Sequence, residues 1–194
     1  MPAIVDHEAR REKVAAIATR LVAEHGAEGL TFRAVAKEAG CSTAIVSHYF
    51  ADKKALMLYC YNYSAARSRR RFDKVEEQGG TILDWLETIA PLDRERRDDW
   101  RVWFAFWGAA IADRVFARNQ RDQVDMTRKR LGEFMATKRE TSGRSRDERE
   151  ELAERLIVMA MGLAVAASFD PKDWPAERQR SMIMGELRDM GLTG

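Results

Sequence analysis

Residues 31–50 read TFRAVAKEAGCSTAIVSHYF, which is two short helical patterns separated by Gly40. Thr31 stands before the first pattern and Ser42 before the second. Both residue types are favoured at helix N-caps, because the hydroxyl accepts a bond from a free backbone N–H. Gly40 permits the backbone conformation that a tight turn between helices needs. The segment therefore predicts a helix-turn-helix, although any helical hairpin with a glycine turn shows the same pattern.

The rest of the chain is also helical in pattern. Apolar residues recur three and four positions apart almost everywhere, and the alternation typical of strands is nearly absent. The pattern predicts an all-α protein of about nine helices, with an N-terminal three-helix helix-turn-helix domain on a larger helical domain. The predicted helices span about 8–25, 32–39, 43–50, 53–74, 82–90, 97–113, 117–141, 146–168 and 176–190.

Composition gives little support to catalysis or to metal binding. The 194 residues include 33 Lys and Arg against 31 Asp and Glu, and a net charge of +2 is too small to indicate nucleic-acid binding by itself. The three histidines are scattered, and Cys41 and Cys60 lack metal-ligand spacing. We therefore expect no enzymatic activity, no metal site and no cofactor, and two reduced thiols.

The N-terminus and the apolar segments bear on location. The first fourteen residues, MPAIVDHEARREKV, contain no apolar stretch of signal-peptide length. We find no run of about 18 uncharged apolar residues of the kind that spans a membrane. We expect a soluble cytoplasmic protein without a membrane partner.

The helix-turn-helix segment also resembles a known family. Residues 31–42, followed by His-Tyr-Phe at 48–50 and Asp-Lys-Lys-Ala-Leu at 52–56, resemble the DNA-binding signature of the TetR family. The residue before His-Tyr-Phe is usually Tyr in that family but is Ser47 here, and residues 42–50 instead resemble the choline-responsive BetI subgroup. Trp-Phe-Ala-Phe-Trp at 103–107 is similar to a stretch of BetI-type ligand domains.

The resemblance implies how the chain is organised and what it does. We expect residues 1–52 to form a DNA-binding domain and residues 53–194 to form a ligand-binding and dimerisation domain. A homodimer binds a palindromic operator in double-stranded DNA and is released by a small-molecule effector, with the last two helices pairing across the dimer. A helical ligand-binding or protein-interaction module without DNA activity is the alternative.

The DNA-binding residues are expected in and beside the two short helices. Residues 42–49 contain no Arg, Lys, Asn or Gln, so the strong bidentate base contacts are missing, and specificity must come partly from Arg33, from DNA shape and from two half-sites. Lys53 lies in the first turn of a helix, where a cation is unfavourable unless a phosphate binds. For Tyr49, a packing role stays open. The predicted contacts are Thr31, Arg33, Ser42, Thr43, Ala44, Ser47, His48, Tyr49 and Lys53. We expect the basic run at 67–74 to be a solvated face.

An aromatic stripe is the candidate effector site. Aromatic residues from Trp100 to Trp107, with Ile111, fall three and four apart on one predicted helix, as a core or a pocket wall would require. The candidate ligand-binding residues are Trp85, Trp103, Phe104 and Trp107. Aromatic rings suit choline or another quaternary ammonium ion. BetI-type proteins commonly read Asp-Gly-Leu-Trp where residues 161–164 read Met-Gly-Leu-Ala, so an apolar organic effector stays an alternative.

Overall fold

The computed structural model describes residues 7–193, with side chains described for 9–193. Within that range the chain forms nine α-helices and one short 3-10 helix, without a strand. The helices are α1 (His7–Gly29), α2 (Phe32–Ala39), α3 (Thr43–Tyr49), α4 (Lys53–Glu77), α5 (Ile82–Glu87), α6 (Arg94–Ala110), α7 (Arg114–Met135), α8 (Arg146–Phe169) and α9 (Ala176–Asp189), and the 3-10 helix is Arg139–Thr141. The all-α prediction is confirmed. The expectation of no signal peptide concerns residues 1–14, of which residues 1–6 lie outside the described residues.

Side-chain caps explain where several helices begin. The Thr31 hydroxyl accepts a bond of 3.1 Å from the backbone N–H of Ala34, which starts α2. Thr81 and Ser145 each form a capping box with the acidic residue three positions later, and these boxes start α5 and α8. Each box satisfies two backbone donors that a helix end otherwise leaves free. These starts are where the sequence placed them.

Two helix ends differ from the prediction. Gly26 was expected to end the first helix in a left-handed cap, but it takes φ 68° and ψ −171° inside α1 and helical structure resumes as far as Gly29. That extended, positive-φ conformation is open almost only to glycine. The seventh helix was expected to reach Thr141 but ends at Met135. Beyond it, the N–H groups of the next residues bond to carbonyls three positions back, which tightens the chain into turns.

The chain divides into two compact units, and the first contains the helix-turn-helix. It joins Met1–Arg67 with Asp98–Ala117. Leu30, Val35 and Val46 are fully buried in one apolar core with Phe106 of α6. Most of α6 therefore belongs to the same compact unit as the helix-turn-helix. The predicted boundary after residue 52 divides the chain by function and stays a prediction.

The second unit joins Ser68–Arg97 with Arg118–Gly194. Its core includes Trp85, Leu131, Leu156 and Ile183, each fully buried. This unit therefore has an apolar core of its own, built from the C-terminal part of α4 and from α5, α7, α8 and α9.

Helix α8 is apolar on more than its core face. Among the described helices, it alone has the length and composition to cross a membrane, and core helices of soluble proteins share those properties. Leu156 and Ala160 are fully buried, whereas Val158, Val165 and Phe169 are exposed to 63%, 38% and 84%. Positions 158, 162, 165 and 169 lie three and four apart and thus form one exposed apolar stripe on α8.

Candidate functional site

The turn between α2 and α3 is fixed by Gly40. Its φ of 64° and ψ of 36° are left-handed, a conformation that glycine permits at the turn the sequence predicted here. Its backbone N–H donates to the carbonyl of Lys37, and the N–H of Cys41 donates to the carbonyl of Ala36 at 3.0 Å. This pair of bonds closes the end of a helix and redirects the chain. The two short helices therefore stand in helix-turn-helix geometry.

Helix α3 presents a polar face to solvent. Thr43, Ala44, Ser47 and His48 are exposed, whereas Val46 is fully buried against the rest of the first unit. An exposed face on the second helix of this motif is the part that enters the major groove. The residues predicted to contact bases are thus brought together on one accessible surface.

The hydroxyl groups of this face differ in what they can offer. Ser47 Oγ donates to the carbonyl of Ala44 at 3.1 Å, so its proton is used and its oxygen is left to accept. Ser42 occupies the N-cap of α3 but makes no capping bond, which leaves its side chain available as donor and acceptor. Acceptors suit the amino groups of adenine and cytosine in the major groove.

Lys53 opens α4 beside this face. Asp52 caps the helix, its Oδ1 accepting from the N–H of Ala55 at 2.7 Å. Lys54 pairs with Asp113 at 2.6 Å and holds the pKa of that carboxyl below its ordinary value. Lys53 is exposed and has no ion pair among the described residues. The ammonium group of Lys53 is therefore available at this helix end to bind a DNA phosphate.

The remaining predicted contacts include Arg33 on α2 and Tyr49 at the end of α3. Arg33 is exposed in the first turn of α2 and has no ion pair among residues 9–193. The Tyr49 ring is half-buried and lies edge-on to His48, with centroids 5.2 Å apart. Because of this burial and ring contact, Tyr49 packs and is only partly available for contact with DNA.

A separate ion pair joins the first two helices: Arg20 of α1 pairs with Glu38 of α2 at 3.1 Å.

Helix α6 carries the aromatic face, defined here as Trp100, Trp103, Phe104 and Trp107. Trp100 meets Trp103 edge-on at 4.8 Å, and Phe104 meets Trp107 at 5.4 Å. The indole N–H groups of Trp103 and Trp107 are buried and have no acceptor in the described structure. Ile111, placed in the same stripe by its spacing, lies beyond the helix end and is 90% exposed.

Trp85 lies in the second compact unit. Its ring stacks on Phe72 with centroids 4.3 Å apart, and its indole N–H donates to Glu76 at 3.0 Å. The side chain is fully buried. The structure thus gives Trp85 a packing role, and its part in ligand binding stays a prediction.

The basic run on α4 is only partly the solvated face that the sequence predicted, because Arg70 and Lys74 are exposed whereas the other three arginines bond to other parts of the chain. Arg67 is half-buried and bonds to Asp99 of α6. Arg69 bonds to Gln123, and Arg71 bonds to the carbonyl of Thr88. Sequence spacing does not show these partners, because they lie 17 to 54 residues away along the chain.

Two family models match the chain. The model described as bacterial regulatory proteins, tetR family, matches residues 16–60, and the model described as BetI-type transcriptional repressor, C-terminal, matches residues 81–191, more than half of the chain. The chain belongs to the TetR family. As a TetR-family protein it is a transcriptional regulator, and its C-terminal half is of the BetI repressor type.

Relatives agree with this membership over most of the TetR-family chain. HTH-type transcriptional regulator PksA of Bacillus subtilis is 28% identical, over 98% of this chain and 94% of its own length. HTH-type transcriptional regulator BetI of Burkholderia cenocepacia is 29% identical, over 62% of this chain and 64% of its own. The structure of a transcriptional regulator from Saccharomonospora viridis in complex with choline matches with a TM-score of 0.80 at 20% identity, covering 93% of this chain and 96% of that one. That last likeness shows the fold alone.

Replacing Lys53 tests the phosphate contact of this TetR-family protein. We expect Lys53→Ala to weaken binding to all DNA sequences about equally and to make the plot of log affinity against log salt shallower by about one unit. Fluorescence anisotropy at several salt concentrations measures both effects. The matched control is Lys54→Ala, whose ammonium group is already paired with Asp113. Equal slopes for wild type and Lys53→Ala would remove Lys53 from the DNA contacts.

Proposed function

We propose that this regulator represses transcription as a cytoplasmic homodimer on a palindromic operator and is released by a small cationic effector. The exposed polar face of α3, together with the exposed cations Arg33 on α2 and Lys53 on α4, is the observation that carries the DNA-binding part. Its hydroxyl and methyl groups read bases weakly, because no side chain on it makes a bidentate contact. Two copies of α3 on two half-sites supply the specificity that one copy lacks.

Helices α8 and α9 supply the dimer interface in this proposal. The apolar stripe of α8 is exposed in the single chain, and exposed apolar patches of this kind mark interaction sites. Gly162 lies within the stripe, and apart from its two chain neighbours and the nearby backbone of α8 itself, no atom stands within 4 Å of the position a Cβ would take. A mid-helix glycine is destabilising, and nothing in the chain's own packing requires it. A second α8 that approaches closely across a two-fold axis explains why a glycine stands at position 162.

The aromatic face of α6 is the proposed effector site. Ring faces attract a quaternary ammonium group, and the two indole N–H groups without an acceptor favour a ligand that also carries an oxygen. Choline has both groups, and the regulator with choline bound has the same fold. An apolar organic molecule is the second candidate, because Met161 and Ala164 stand where BetI-type proteins commonly have Asp and Trp.

Choline titration tests the effector, with Trp107→Ala as the variant. We expect choline to loosen operator binding of the wild type by about 5- to 150-fold, the usual range for coupled sites. Removing one desolvated ring should weaken choline binding by about 30-fold, since such a cation–π contact contributes about 2 kcal/mol. Tryptophan fluorescence measures choline binding, and anisotropy of labelled DNA measures release.

Trp174→Ala is the matched control for this titration, because Trp174 lies outside α6 and packs with Arg178 at 4.2 Å. It should bind choline as the wild type does. If choline does not bind the protein and does not release it from DNA, choline is not the effector, and another quaternary ammonium ion or an apolar molecule takes its place. If a releasing ligand binds Trp107→Ala as tightly as the parent, the aromatic face is core.

A further inference from the structure

A basic groove lies in the second compact unit, where the chain passes from the end of α7 to the first turns of α8. It has a volume of about 590 Å³, and residues of the segment 136–149 supply all of its lining. Three cations line it, Lys138, Arg139 and Arg149, and no carboxylate does. The groove shares no residue with the aromatic face of α6, so it is a separate place where a ligand can bind.

The three cations of the groove are not neutralised by the chain itself. Lys138 Nζ donates to the carbonyl of Gly80 and lies 4.1 Å from the centroid of the Phe134 ring, so both of these contacts are uncharged. Arg139 is exposed, and neither it nor Arg149 makes an ion pair among residues 9–193. Solvated basic side chains are common at protein surfaces, so this charge alone does not define a site.

Arg149 supplies the observation that points to a ligand. Its Nη1 donates to the carbonyl of Arg144, which holds the guanidinium group beside the groove. Its Nε is buried and has no acceptor in the described structure. A buried donor without a partner costs free energy, and a bound ion or water is a common explanation for such a group. An arginine with two free nitrogens on one edge can bind two oxygens of an oxyanion side by side.

The carboxylate next to Arg149 in the sequence is already engaged. Glu148 accepts from the backbone N–H of Ser145 at 2.6 Å. This bond, more than the charges of Arg144 and Arg149, holds the pKa of the Glu148 carboxyl below its ordinary value. Glu148 therefore caps α8 and leaves the guanidinium group of Arg149 to an acceptor from outside the chain.

Two further donors lie in the turn that borders the groove. The exposed hydroxyl of Ser142 and the backbone N–H of Gly143 make no hydrogen bond within the described part of the chain. The N–H groups of Ser142 and Arg144 bond back to the carbonyls of Arg139 and Thr141 at 3.0 and 3.1 Å, which fixes the turn. Backbone and hydroxyl donors held beside cations form the kind of concavity that binds anions.

We propose that this groove binds a small molecule through a phosphate group, with Arg149 and Arg139 neutralising its charge and Ser142 and Gly143 donating to its oxygens. A phosphate group has three strong acceptor oxygens and nearly two negative charges, which match two unpaired guanidinium groups and two further donors. A carboxylate has fewer oxygens and a single charge. Because one short segment supplies the whole lining, a single anionic group fits the groove better than an extended polymer does.

The size of the groove favours an organic phosphate over the bare ion. Its volume lies within the range of small-molecule pockets and exceeds what a phosphate ion alone fills. The rest of such a ligand therefore has room beside the phosphate group.

Calorimetric titration of the full chain without DNA tests the site. The probes are inorganic phosphate and phenyl phosphate, at an ionic strength kept constant with sodium chloride so that screening does not differ between them. We expect saturable binding of one molecule per chain, with phenyl phosphate binding more tightly. Equal binding of the two would identify the free phosphate ion as a sufficient ligand. Benzoate is the matched probe, because it carries the same ring on a carboxylate, and binding as tight as that of phenyl phosphate would overturn the phosphate assignment.

Three variants locate the binding in the groove. Arg149→Lys keeps the charge but not the two-nitrogen contact, and it should weaken phenyl phosphate binding by about tenfold or more, the usual effect of losing a hydrogen bond to a charged group. Arg139→Gln removes an exposed cation and should also weaken binding, and it decides the matter if Arg149→Lys fails to fold. The control is Arg146→Gln, which removes an equal charge from a 77% exposed arginine that pairs with Glu150 outside the groove, and it should bind as the wild type does. Absence of saturable binding of both phosphate probes, or equal binding by the wild type, Arg149→Lys and Arg139→Gln, would overturn the inference.

Discussion

Val165→Glu is expected to convert the dimer into a monomer and to lower operator affinity by about 100- to 10,000-fold, the range that joining two binding modules typically gives. Val165 lies in the exposed stripe of α8 between Val158 and Phe169. A two-fold interface presents the same residues from both subunits, so one substitution introduces two carboxylates that lose water together. Light scattering measures the mass, and anisotropy of labelled operator measures the affinity.

Val115→Glu is the matched control for this change. Val115 is a 52% exposed valine in the first turn of α7, outside the proposed interface, and a carboxylate there is favoured by the helix dipole. It should leave mass and affinity unchanged. A Val165→Glu protein that remains dimeric would show that the interface lies elsewhere.

Trp85→Ala is expected to lower the free energy of unfolding by about 3–5 kcal/mol, as is typical when a large aromatic side chain is removed from a core. The stack on Phe72 is lost, and so is a donor to Glu76. Burial raises the pKa of the Glu76 carboxyl, but bonds from Arg130 and Trp85 outweigh it and hold that pKa below its ordinary value. Urea unfolding at one fixed protein concentration measures the change, since dimer formation makes stability depend on concentration.

Two further variants separate the parts of this effect. Trp85→Phe keeps a ring on Phe72 but removes the N–H donor, so its loss should be intermediate. Trp174→Ala removes a half-buried tryptophan and should cost about 1 kcal/mol. If Trp85→Ala costs no more than Trp174→Ala while choline binding is lost, Trp85 is a ligand contact after all.

Local chemistry explains why so much of the fold could be predicted from the sequence. Thr31 and Ser145 cap helices with atoms only three residues away, and the positive φ of Gly40 needs no distant partner. Gly26 was identified as a break for the same reason. Its ψ was not predicted, because that angle depends on how the following residues pack.

The candidate site could be predicted only where it depends on exposure along one helix. The polar face of α3 follows from its spacing, whereas the partner of Asp99 lies 32 residues away on α4. From the sequence alone Asp99 is expected at the surface, because acidic residues are rarely buried, and only the packing of α4 on α6 shows its partner. The stack of Trp85 on Phe72 joins two helices in the same way, and spacing along either one does not reveal it.

A footprint of the wild-type protein tests most directly the claim that it binds DNA as a homodimer on a two-fold site. The DNA is a duplex that the protein selects from a random-sequence pool. The account predicts protection of two half-sites related by a two-fold axis, with centres about 34–36 Å apart or a multiple of that distance, because two copies of α3 must meet the same side of the DNA. Protection of a single unrepeated half-site by a monomer, or failure to bind any duplex, would contradict it.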